Sequence, residues 1–161
     1  MTDMQTRLSR ITTFLYALAA AMFAGTIAEL LAIRHYEEPA QLIPFVLCIA
    51  GIAAIWLVWT RPAPSRVLAL RGLMVVSAGG ALLGVWKHLE SNMASIAERN
   101  PGTEGLALLL AATGGRAPLL ASGVLAAGAC LAIAATFAAG WNLRGTAGLS
   151  ALSVRQSSMQ A

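Results

Sequence analysis

The sequence predicts an all-α integral membrane protein with four transmembrane helices in an up-down bundle. Of its 161 residues, 58% are hydrophobic and only 11% are charged, whereas soluble domains carry roughly a quarter charged residues. The apolar residues also fall in long runs, and a membrane-spanning helix needs about 20 such residues. We predict spans at about residues 11–34, 42–60, 67–88 and 117–141.

The first span follows a basic leader that contains Arg7 and Arg10. Its apolar part is much longer than the roughly 7–15 residues of a cleaved signal core, so we interpret it as a retained helix. We expect this helix to run to about Tyr36 and to stop at Pro39, because the residue before a proline is disfavoured in helical geometry.

The second and third spans are expected to be antiparallel neighbours, because only the short segment TRPAPS (residues 60–65) joins them. Trp56 and Trp59 close the second span as tryptophans of a membrane interface do. Arg71 and Lys87 flank the third, where their long side chains can reach the headgroups. Apolar residues then recur at helical spacing to residue 96, which predicts that this helix projects beyond the outer surface to about residue 99.

The segment between the third and fourth spans is predicted to form a short interfacial helix. Residues 105–113 (GLALLLAAT) are apolar but too few to cross a bilayer. We therefore expect a helix at about residues 104–113 that lies on the outer surface or caps the bundle. Residues 1–143 form a single membrane domain in this interpretation, and residues 144–161 form a flexible cytoplasmic tail.

The basic residues predict the orientation of the chain. Both termini and the loop at residues 60–71 hold most of them, and short loops rich in Lys and Arg stay on the cytoplasmic side. We therefore expect cytoplasmic termini and a plasma (inner) membrane location in a bacterial-type cell. The net charge of +4 is explained by this orientation, so no nucleic-acid partner is predicted.

Two polar clusters at the predicted outer boundary contain both histidines of the chain, His35 and His88. With Glu37 and Glu90 they could hold a transition metal, since imidazole and carboxylate groups are common metal ligands, and the imidazoles could also ligate haem. Neither cluster has a diagnostic metal-ligand spacing. We favour the alternative that both histidines are boundary residues, with rings more than about 8 Å apart and His88 bonded locally to Asn92.

Glu29 is the single acidic residue inside a predicted span. An intramembrane carboxylate is costly unless it is paired, protonated or in contact with water. The sequence leaves open whether Glu29 is a hydrogen-bonded structural residue or a proton or ligand site.

The leading functional hypothesis is a small polytopic accessory or scaffold protein that acts through its helices and outer rim. Its expected partners are the bilayer and another membrane protein or a second copy, contacted through small-residue faces such as Gly80 and Gly84. The alternatives are a metal- or haem-binding redox protein at His35 and His88, and a proton-coupled transporter subunit that uses Glu29. No catalytic residue is predicted, because the chain has neither a phosphate-binding loop nor a CxxC motif.

Overall fold

The computed structural model describes the backbone of residues 3–115 and 119–140, and the side chains of residues 3–115 and 122–140. The helices are α1 (Asp3–Ala32), α2 (Ile43–Thr60), α3 (Pro64–Arg99), α4 (Gly105–Thr113) and α5 (Leu119–Ala138), with a 3-10 turn at Pro39–Leu42 before α2. No strand occurs in these ranges, which confirms the all-α prediction. The predicted tail at residues 144–161 lies outside them.

Three of the described helices are long and apolar enough to cross a membrane. They are α1, α3 and the segment Pro39–Thr60, which consists of α2 and the 3-10 turn before it. The described apolar part of α5, Ser122–Ala138, is shorter. Large apolar side chains are exposed on these three helices, where lipid tails would solvate them: Phe14, Leu18, Ile49, Trp56, Val75, Val76 and Leu82. The prediction of a helical membrane protein is thereby confirmed.

The four longest helices pack so that α1 and α3 each contact both α2 and α5. Consequently α1 and α3 lie diagonally opposite each other. Arg71 near the start of α3 contacts Thr136 near the end of α5, and Gly84, further along α3, faces Ser122 near the start of α5. These two helices are therefore antiparallel.

Phe23 of α1 packs against both α2 and α5 in the interior of the protein. Its side chain is 0% exposed and lies between two glycines of different helices. A Cβ added to Gly51 of α2 would lie 2.7 Å from Cε2 of the ring, and one added to Gly128 of α5 would lie 3.1 Å from Cε1. The ring thus fits only because both neighbouring helices lack a side chain at those positions.

The C-terminus of α1 differs from the sequence prediction, which extended the helix to about Tyr36. The helix ends at Ala32, and Arg34 adopts a left-handed conformation with φ 54°. The N–H of His35 donates to the carbonyl of Leu30 at 2.8 Å, and that of Arg34 donates to Leu31 at 3.2 Å. This is the hydrogen-bond pattern of a Schellman cap, so local capping ends the helix several residues before Pro39.

The segment after this cap is fixed by Gln41. Its Oε1 accepts hydrogen bonds from the backbone N–H of Glu37 at 2.9 Å and of Glu38 at 3.3 Å. The Gln41 side chain therefore connects the segment after α1 to the 3-10 turn that precedes α2. His35 lies between the cap at the end of α1 and these hydrogen bonds.

α3 is a single unbroken helix of 36 residues, about 54 Å long at 1.5 Å per residue. That length exceeds a hydrocarbon core of about 30 Å. Near its C-terminal end, Asn92 is buried and its Nδ2 donates to the carbonyl of Ala112 in α4 at 3.0 Å. A Cβ on Gly115 would collide with the Asn92 side chain. Asn92 thus anchors α4, and its predicted local bond to His88 stays a prediction.

Candidate functional site

His35 and His88 lie side by side at one end of the helix packing. Their ring centroids are 6.2 Å apart and the ring planes are inclined by 57°. The predicted separation of more than about 8 Å is therefore wrong, while the interpretation of both histidines as boundary residues stays a prediction. The capped turn after α1 carries His35 across the end of the helices to α3.

The spacing of the two rings is compatible with a shared metal ion, although a complete ligand set is not assembled. Two imidazoles bound to one ion through bonds of about 2.0–2.1 Å have ring centroids roughly 5–6 Å apart. Glu37 is exposed, and Glu90 pairs with Lys87 at 2.8 Å. Within residues 3–115 and 119–140, no three His, Cys, Asp or Glu side chains are grouped to hold a metal ion. The four-residue metal site stays a prediction.

A cavity of about 380 Å³ opens beneath the two histidines. Its walls come from the C-terminal end of α1, the N-terminal ends of α2 and α5 and the middle of α3, and they are mostly aliphatic, including Leu30, Leu47 and Leu125. The polar side chains in the lining are those of Thr26, His35, Gln41, Lys87, His88 and Ser122. An apolar cavity with a few convergent polar groups is the usual form of a small-molecule site.

Glu29 lies apart from this cavity lining, on a half-buried edge of α1. Met22, two turns earlier on the same edge, approaches Gly128 of α5. Since a Cβ at Gly128 would also contact Phe23 of α1, this edge faces α5. No hydrogen bond or ion pair joins the Glu29 carboxylate to a side chain in the described part of the chain. Its proposed role as a proton or ligand site stays a prediction.

Arg71 is a buried polar residue that the sequence interpretation placed wrongly. We expected it to extend toward the headgroups, but its side chain turns inward and is buried against α5. Its Nε donates to Oγ1 of Thr136 at 2.8 Å, and its guanidinium carbon lies 4.2 Å from the centroid of the Phe137 ring. A cation beside an aromatic face is stabilised by the ring quadrupole.

The surroundings of Arg71 extend the polar interior of the protein. The Thr136 hydroxyl, which accepts from Arg71, also donates a hydrogen bond to the carbonyl of Ile133 at 2.7 Å. Tyr16 of α1 lies near Arg71. Its hydroxyl is buried and has no hydrogen-bond partner in the described part of the chain. No sequence motif points to this cluster, since Tyr16, Arg71 and Thr136 are far apart along the chain.

Two glycines of α3, Gly80 and Gly84, face neighbouring helices. Gly84 lets α3 approach Ser122 of α5, because a Cβ there would lie 3.0 Å from the Ser122 hydroxyl, and Gly80 faces Leu47 of α2. These glycines are thus used within the chain. Their predicted use in contact with a second copy stays a prediction.

Comparison with known proteins adds no relative from which a role could be transferred. The chain matches no known protein family, no curated protein and no solved structure.

Proposed function

We propose that this chain is a small four-span membrane protein that acts as an accessory or scaffold protein through its helices and outer rim. The observation that supports this role is the uneven distribution of side chains. Large apolar groups are exposed along the helices, while the two histidines and their polar neighbours gather at one end. A surface that is apolar along the helices and polar at one end suits a protein that is solvated by lipid and recognised at its rim.

The proposal includes the orientation of the chain in a bacterial-type plasma membrane. Four spans in an up-down bundle place both termini in the cytoplasm and the histidine pair outside. The final part of α3, with α4 attached through Asn92, then projects from the outer surface, which accounts for a helix longer than a bilayer is thick. A cysteine at Ala63 should react with a membrane-impermeant maleimide only in broken cells, and one at Thr103 in intact cells. The reverse labelling pattern would overturn this orientation.

The accessory role is tested with a photoreactive side chain in intact cells. Leu110 of α4 and Val75 of α3 are similarly exposed. In the proposed orientation α4 projects from the outer surface and is part of the rim, whereas Val75 lies within the membrane. We expect one discrete protein adduct from position 110 and lipid adducts alone from position 75. An adduct with the mass of two copies would identify the partner as a second copy. Absence of any protein adduct at position 110 would contradict the accessory role.

A metal or haem site is the second candidate, and the ring separation of 6.2 Å between His35 and His88 favours it. Two imidazoles could supply half of a tetrahedral shell or both axial ligands of a haem. Metal analysis and an absorption spectrum of the purified protein test this candidate. We expect stoichiometric metal or haem that is lost in His88→Ala and kept in Glu90→Gln, because Glu90 is paired with Lys87. A metal-free, colourless protein that binds no added Zn²⁺ would exclude it.

A further inference from the structure

We propose that the cavity beneath His35 and His88 binds the carbonyl end of an uncharged lipid, with the hydrocarbon tail of that lipid along the aliphatic walls. This goes beyond the accessory role, because it assigns a ligand class to the cavity that the two histidines cover. It depends neither on the orientation of the chain nor on metal binding.

The walls of the cavity determine the apolar part of the ligand. Leu30, Leu47, Leu83 and Leu125 line it, and burying a hydrocarbon chain against such groups gains about 25 cal/mol per Å² of apolar surface removed from water. The lining reaches from His88 down to Thr26, roughly two turns into α1 from its end. A tail can therefore lie along the helices while the head stays beside the histidines.

The polar end of the cavity determines the head of the ligand. A neutral imidazole has one N–H donor and one acceptor nitrogen. Since Oε1 of Gln41 already accepts two backbone hydrogen bonds, its NH₂ group remains as a donor beside the cavity. Lys87 is the charged residue in this lining, and its ammonium group is held by Glu90. Uncharged donors that converge on an apolar cavity select a carbonyl oxygen over an ionised group, whose desolvation would be far more costly.

The cavity exists because α3 has glycine where a side chain would fill it. A Cβ on Gly80 would meet only Cδ1 of Leu47, at 3.7 Å, and one on its neighbour Gly79 would meet nothing within 4 Å. Gly80 lines the cavity, whereas Gly79 does not. The two positions therefore offer a matched pair, since a leucine at either one changes helix propensity equally but only Gly80→Leu places a side chain in the cavity.

The experiment uses the full-length protein in lipid nanodiscs with two photoreactive probes. One is a decyl-tailed benzoquinone and the other a phosphatidylcholine, each with a diazirine in its hydrocarbon chain. Carbonyl oxygens are common to both, so the two arms distinguish a free carbonyl lipid from a bilayer phospholipid. Labelled peptides are identified by mass spectrometry.

We expect the benzoquinone probe, which has no ionised group, to label Leu47 or Leu125. Labelling by the phosphatidylcholine probe alone counts as absence of this labelling, because its headgroup is ionised. Labelling should fall roughly tenfold in Gly80→Leu, the equivalent of about 1.4 kcal/mol, and stay unchanged in Gly79→Leu. An unlabelled competitor with the same tail but no carbonyl group should compete much less well than the parent molecule. The His88→Phe variant, which keeps a ring at the mouth, should lose this difference and keep its fold by circular dichroism.

Three results would overturn the proposal. They are absence of labelling at Leu47 and Leu125, equal labelling of Gly79→Leu and Gly80→Leu, and equal competition by the molecule without a carbonyl group. Should Gly80→Leu fail to fold, the competition measurement on the wild type and on His88→Phe decides the question.

Discussion

Substitution of Gly51 by alanine should destabilise the protein mainly through its contact with Phe23, with a weaker contact to Cε of Met74 at 3.3 Å. The added Cβ would lie 2.7 Å from Cε2 and 3.0 Å from Cδ2 of the ring, well inside ordinary van der Waals contact. The ring cannot retreat toward α5, because Gly128 already approaches its other edge. Overpacking of this kind costs about 1–3 kcal/mol.

The net effect is smaller than the steric cost, because alanine is a better helix former than glycine by roughly 0.5–1 kcal/mol. Gly79→Ala gains the same propensity term and meets no neighbour. The two variants should therefore differ by about 2 kcal/mol in the free energy of unfolding, or roughly 30-fold in the equilibrium constant. Titration of the detergent-solubilised protein with SDS, followed by circular dichroism, measures this difference.

A double-mutant cycle attributes the effect to the ring. In a Phe23→Leu background the cost of Gly51→Ala should shrink by at least half, since the aromatic edge that the methyl group meets is gone. Equal stability of Gly51→Ala and Gly79→Ala, or an undiminished cost in the Phe23→Leu background, would refute the packing argument.

Variants at three further sites, Arg34, Thr136 and Glu29, test other contacts by the same SDS titration. Arg34→Gly should stabilise the protein by about 1 kcal/mol, because left-handed backbone costs a non-glycine residue about that much, and Arg34→Ala should gain nothing. Thr136→Val should cost about 1–3 kcal/mol because it removes a hydrogen-bond acceptor from the buried Arg71 guanidinium, whereas Thr60→Val, at an exposed helix end, should be nearly neutral. Glu29→Gln and Glu29→Leu should differ by less than about 0.5 kcal/mol, because no side chain in the described part of the chain bonds to the carboxylate. A loss confined to Glu29→Leu would instead reveal a hydrogen bond to the carboxylate.

The helical membrane class was predictable because it depends on properties that are additive along the chain. Apolar run length and the scarcity of charge indicate membrane helices whatever their neighbours are. The continuation of α3 to Arg99 and a helix at Gly105–Thr113 follow from periodicity and from the breakers around them. These features need no knowledge of tertiary contacts.

The site was less predictable because it depends on contacts between distant residues. The separation of His35 and His88 is set by a Schellman cap, and arginine at its left-handed position gives no sequence signal, since glycine is the usual residue there. Arg71 fits either a headgroup anchor or a buried cation, and only the proximity of Thr136 and Phe137 decides between them. The cavity, likewise, is a property of four helices together.

The diagonal placement of α1 and α3 makes the histidine pair sensitive to helix tilt. The two rings belong to elements that do not pack along one another, so their separation follows the angle between two helices that are connected mainly through α2 and α5. From the Phe23 contact to its end, α1 extends nine residues, or roughly 14 Å, so a tilt of about 5° would move its end by roughly 1 Å. Helices adjust their tilt when bilayer thickness changes. The thickness of the surrounding membrane is thus mechanically connected to the distance between the imidazoles.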